Sequence, residues 1–122
     1  MATSTVTLSN PIGGKVYKDT AASNSAVIAV ATGTTVFHIE FDNTANSAVT
    51  YLKIYEATSV TLGTTEPSMI IKAAAATKEY VSIPMGVALA TGLGYVATTT
   101  ASNSAGSPAA PSNACVLTIV YN

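Results

Sequence analysis

Apolar residues recur at every second position through most of this chain, in short runs broken by turn-forming residues. That period belongs to strands, whose side chains alternate between two faces, and not to helices. In TVFHIEFDNTAN, residues 35–46, Phe37, Ile39 and Phe41 share one face and His38, Glu40 and Asp42 the other. In VTYLKIYEA, Leu52 and Ile54 oppose Tyr51, Lys53 and Tyr55. Val81 and Ile83 oppose Tyr80 and Ser82 further on. Leu117, Ile119 and Tyr121 oppose Val116, Thr118 and Val120, a run apolar on both faces, as in a strand covered on both sides.

Strands are therefore predicted near 4–8, 26–31, 34–42, 49–56, 68–72, 78–83, 93–99 and 114–121. Between them stand Asn10-Pro11, Gly13-Gly14, Asp42-Asn43, Gly63, Pro67, Pro84, Gly92 and the segment ASNSAGSPAAPSN. Each supplies turn chemistry: fixed φ at Pro, positive φ at Gly, side-chain caps at Asn, Asp and Ser. The run AAAAT at 73–77 is too short to stand as a helix and reads as a loop or single turn. The expectation is an all-β chain: an antiparallel β-sandwich of jelly-roll type, about eight short strands, with little or no helix. No repeat or linker divides it, so 1–122 is one domain, with residues 1–14 as an arm able to reach a neighbour.

Charge narrows the function. Charged residues make up 9% of the chain, against about 25% in an ordinary domain. The net charge is −1, with five lysines and no arginine. A nucleic-acid binder gathers Lys and Arg on one face and reads bases and phosphates with Arg, so nucleic acid is not expected as a partner. No apolar run is long enough to span a bilayer, and MATSTVTLSN has neither the basic nor the apolar region of a secretory signal, so no membrane partner is expected and synthesis in a cytoplasm is. From Tyr80 to Asn122 there is no Asp, Glu, Lys or Arg, and the first fourteen residues are also uncharged. Such surface suits contact with other protein, or stays soluble through its hydroxyls.

His38, Glu40 and Asp42 stand at i, i+2 and i+4, so a strand would project all three from one face. They are spread along a line at nearly 7 Å per step, which does not converge on one ion as zinc requires. They read as the outer face of a strand. Gly92-Leu93-Gly94-Tyr95-Val96-Ala97 spells G-x-G-x-x-A, but no helix-forming run and no carboxylate follow. No G-x-S-x-G elbow accompanies the lone histidine. No enzyme and no cofactor are expected. Cys115, between Ala114 and Val116, reads as a small buried hydrophobe. Tyr51 and Tyr55 flank Lys53 on one face; the three form either a contact surface or a layer packed under a covering loop.

The series FDNTANSAVTYLKIYEATSVTLGTTEPSMII and VSIPMGVALATGLGYVATTTASNSAGSPAA resembles small virion proteins of tailed bacteriophages. The phrases that carry the resemblance are DNTAN, YLKIYEA, LGTTEP and GLGYVATTT, within roughly residues 35–121. It implies a single jelly-roll sandwich with no catalytic residues, acting as a head decoration (cement) protein on the capsid surface. Its partners would be the major capsid protein and its own copies, as a homotrimer. The other place it implies is the tail or a fibre, as a structural part or a host-surface carbohydrate-binding module. The contact residues expected are Val6 and Leu8 in the uncharged arm, with Tyr51, Lys53 and Tyr55 on the sandwich.

Overall fold

The computed structural model describes residues 14–103 and 106–122. It contains eight strands: β1 (Lys15–Ala22), β2 (Val27–Val30), β3 (Thr34–Asp42), β4 (Thr50–Tyr55), β5 (Met69–Ala73), β6 (Lys78–Leu89), β7 (Leu93–Thr98) and β8 (Cys115–Tyr121). No helix occurs among the described residues. Two four-stranded sheets form, sheet A in the order β1-β8-β3-β6 and sheet B in the order β2-β7-β4-β5, and every pairing is antiparallel. The pairs β1–β8, β2–β7, β3–β6 and β4–β5 are those of one long hairpin. Curling that hairpin so that β3 also meets β8 and β4 meets β7 produces the jelly roll.

The core lies between the sheets. Ile39, Phe41, Leu117 and Ile119 enter from sheet A, and Leu52, Ile54, Leu93 and Tyr95 from sheet B, all fully buried. Each such side chain contributes about 1.5–3 kcal/mol by leaving water, and together they fix which face of each strand points inward.

One alternation differs from expectation. In β3 the inward residue is Val36, fully buried, while Phe37 is half-exposed and lies outside the core cluster. The reason is a bulge. Val36 stands opposite Tyr121 and His38 opposite Val120, so β3 spends two steps where β8 spends one. Phe37 is the extra residue, and the phase flips across it. On β6 the same bulge is wider, since Val36 faces Val87 and His38 faces Ser82. Pro84, expected to end a strand, sits inside that bulge of an edge strand, where no N–H is required of it. Gly86 there has φ +75°, and an added Cβ would collide with Thr35 Cγ2 and lie 2.9 Å from Phe37 Cε1.

β1 is the strand the apolar pattern did not predict. Its inward positions are Tyr17 and Asp19, and the carboxylate breaks the alternation. Asp19 is accommodated because Tyr95, across the sandwich on β7, donates its hydroxyl to Asp19 Oδ2. The Tyr17 and Tyr95 hydroxyls are 2.9 Å apart and their rings meet edge-to-face at 5.9 Å. A polar clasp joins the two sheets here. The strand predicted at 4–8, the proposed arm, and Val6 and Leu8 within it lie outside the described residues.

Candidate functional site

The two outer faces of the sandwich are unlike. On sheet B the outward side chains include Tyr51, Lys53 and Tyr55 from β4 and Val96 and Thr98 from β7, and all but Tyr51 are buried. Residues 56–68 cover them together with residues 99–103 and 106–114. Lys53 is 2% exposed and its Nζ donates to Ser102 O at 2.5 Å. Asn103 Nδ2 donates to Thr65 O at 2.9 Å, tying the loops to each other. Val60 packs over Gly94, 3.2 Å from where a Cβ would stand. Of the two readings of Tyr51, Lys53 and Tyr55, the packed layer describes Lys53 and Tyr55, which offer no contact surface while the loops are in place; Tyr51 is half-exposed. Burial pushes the Lys53 pKa down and the Tyr55 pKa up, the latter with help from Glu66. Among the described residues the buried Tyr55 hydroxyl has no hydrogen-bond partner.

Among the described residues, nothing covers the outer face of sheet A. The register lays its residues in cross-strand rows. Val16, Val120, His38 and Ser82 form one, and Lys18, Thr118, Glu40 and Tyr80 the next. Val116, Asp42 and Lys78 begin a third. None of these residues is buried. His38, Glu40 and Asp42 thus lie on the outer face, where Ser82 Oγ is 2.9 Å from His38 Nδ1. Lys78 Nζ lies 3.7 Å from Glu40 Oε1 and 3.6 Å from Asp42 Oδ2. The Asp42 pKa is lowered, chiefly by the Thr44 hydroxyl that donates to it at 2.5 Å. Among the described residues no three His, Cys, Asp or Glu side chains group so as to hold a metal ion. β8 was expected to be covered on both sides; its outward Val116 and Val120 are only half-buried, and β7 is the strand covered twice.

The phrase DNTAN does structural work at one end of the sandwich. Asn43 and Asn46 are buried. Asn43 Nδ2 donates to Ala48 O and Ala74 O, each at 3.0 Å. Asn46 Nδ2 donates to Asn43 Oδ1 and Asn113 O at 2.9 Å, and Asn113 N returns a 2.7 Å bond to Asn46 Oδ1. Three loops are stapled together. Cys115 is buried against this cluster, and desolvation pushes its thiol up to about 11, so it is a packing residue.

The glycines of the G-x-G-x-x-A string serve close packing. A Cβ at Gly92 would lie 2.8 Å from Val30 O and 2.9 Å from Ala57 O, and the residues after it form β7. An open cleft of about 540 Å³ lies where three loops meet, lined by Asn24, Ser25, Val60, Thr61, Leu62 and Ser107 among others. Compared with known proteins, the chain matches no family model, no curated protein and no solved structure.

Proposed function

We propose that this chain is a structural virion protein: a decoration (cement) protein of a tailed-phage head that binds the major capsid protein on the capsid surface. The observation that carries the reading is the bare face of sheet A. Val16 is 66% exposed, Tyr80 58% and Met85, at the β6 bulge, 91%. A domain that keeps the central strands of one sheet under its own loops and, among the described residues, leaves the other sheet uncovered is built to be covered by something else. The phage-like phrases and the uncharged third of the sequence agree with that, and jelly rolls recur among capsid proteins. The mechanism is added contact area across seams between capsid subunits, which resists expansion under packaged DNA.

The second reading, a tail or fibre module that binds host glycans, needs an exposed aromatic platform, and Tyr55 is covered. The cleft beside Asn24 and Thr61 is a place that would suit a small polar ligand.

Few charges are available to steer or lock the contact, so binding to expanded heads should be tight yet change little between low and moderate salt, unlike an encounter driven by opposite charges. Deleting residues 2–10, with Val6 and Leu8, should weaken binding while the sandwich stays folded by circular dichroism. Undiminished decoration by the truncated chain would remove the arm from the account. Failure of the full chain to bind heads, with attachment to tails instead, would replace the decoration reading with the second one.

A further inference from the structure

The bare face of sheet A is not uniform in charge. At its β1 side stands Lys18; at its β3–β6 side stand Glu40, Asp42 and Lys78, two carboxylates against one lysine, leaving one negative charge. Lys18 and the two carboxylates of β3 are separated by two strand spacings, about 10 Å. Between them lie Thr118 and the aliphatic Val116 and Val120, which carry no charge. A face of this design is complementary to itself when turned over.

We propose that this face pairs with the same face of a second copy, about a two-fold axis running along the strands between β8 and β3. That operation sets β1 over β6 and β8 over β3 with the rows kept in step. Lys18 of each copy then lies over Tyr80 and beside Glu40 of the other, where a cation meets both an aromatic ring and a carboxylate. In the neighbouring row Val120 meets His38 and Val16 meets Ser82, which covers the exposed valine. Sheets packed face to face stand about 10 Å apart, a gap a lysine side chain can cross. Turning the copy about an axis across the strands would instead set Lys18 against Lys18, so the charge pattern selects the first orientation.

The area sets the strength. Four strands about 4.8 Å apart and roughly eight residues long give about 500 Å² per copy, or about 1,000 Å² in all. That is the lower limit of a specific interface, so the pair is reversible at micromolar concentration. A flat face meets one facing copy, and the contact closes at two. The three-fold cluster implied by the phage resemblance would have to use sheet edges. This pairing does not rest on the virion reading: a second copy and a capsid would compete for the same face, so the free chain pairs in solution and the pair opens where the face meets a head.

Sedimentation equilibrium from about 10 to 500 µM tests it. The mass should rise from 12.3 kDa toward twice that value. Lys18 is exposed, so Lys18→Glu should leave the circular dichroism spectrum unchanged while weakening association at least ~10-fold, because two like-charge contacts replace two favourable ones. Combining Lys18→Glu with Glu40→Lys should recover part of the lost association, since the swapped charges meet across the pair while Lys78 loses its partner Glu40 within each chain. A mass that stays at 12.3 kDa up to 500 µM would overturn the proposal. So would a tripled mass, a Lys18→Glu chain that associates as before, or a double variant that fails to recover.

Discussion

At the residue scale, the buried polar groups divide into those whose bonds are complete and those left short. Asn46 belongs to the first kind. Its amide holds Asn43, Asn113 and, through them, three loops. Asn46→Ala strands several buried partners and should cost about 3 kcal/mol in urea unfolding; a loss under ~0.5 kcal/mol would show that the staple is dispensable. Lys53 belongs to the second kind, a nearly buried ammonium with one carbonyl acceptor. Its folded pKa is lowered from 10.5, so between the lowered value and 10.5 the unfolded chain binds the extra proton. Stability contributed through this group therefore rises with pH across that window. Lys53→Met should stabilise the protein by about 1 kcal/mol at neutral pH, and the gain should shrink as pH approaches 10.5. Cys115 acts with the opposite sign: a thiol held at about 11 against an ordinary 9.0 withdraws stability as pH climbs through that range. Because both chains carry Cys115, the difference between them isolates Lys53. A gain that is flat in pH would mean that packing, not charge, separates lysine from methionine there.

At the element scale, six strands were legible nearly to the residue because a buried face imposes a strict period of two. β3 was expected at 34–42 and spans Thr34–Asp42. Two features were not legible, for different reasons. β1 hides a carboxylate on its inward face, and its partner Tyr95 lies 76 residues away on the other sheet. The β3 bulge puts Val36 inside and Phe37 outside, although Phe is the more apolar-looking choice; nothing local in TTVFHIEF marks the extra residue. What does mark it is Gly86 on the partner strand, whose positive φ and missing Cβ let Phe37 and Thr35 approach. Gly86→Ala should cost about 2 kcal/mol from the strained φ and the collision combined, read as a lowered urea midpoint with an unchanged slope. A neutral Gly86→Ala would show that the bulge repacks freely.

At the scale of the whole molecule, the candidate contact residues were legible only in part. Tyr51, Lys53 and Tyr55 were placed on the correct outward face of β4, but which outward face of a sandwich stays bare depends on where long loops fold. Residues 56–68, 99–103 and 106–114 turn back over sheet B through bonds such as that from Asn103 to Thr65, a choice no strand period encodes. Of the charge-poor C-terminal third, Val116, Thr118 and Val120 on β8 lie on the side that the described residues leave uncovered. The proposed decoration role sets this face, with the uncharged arm, against a phage capsid. Cryo-EM of the particle that carries the chain tests it directly. Jelly-roll density is expected on the outside of the head, with sheet A turned toward protein and the loops over sheet B turned toward solvent. Heads bare of that density, or the same fold found on the tail, would contradict it.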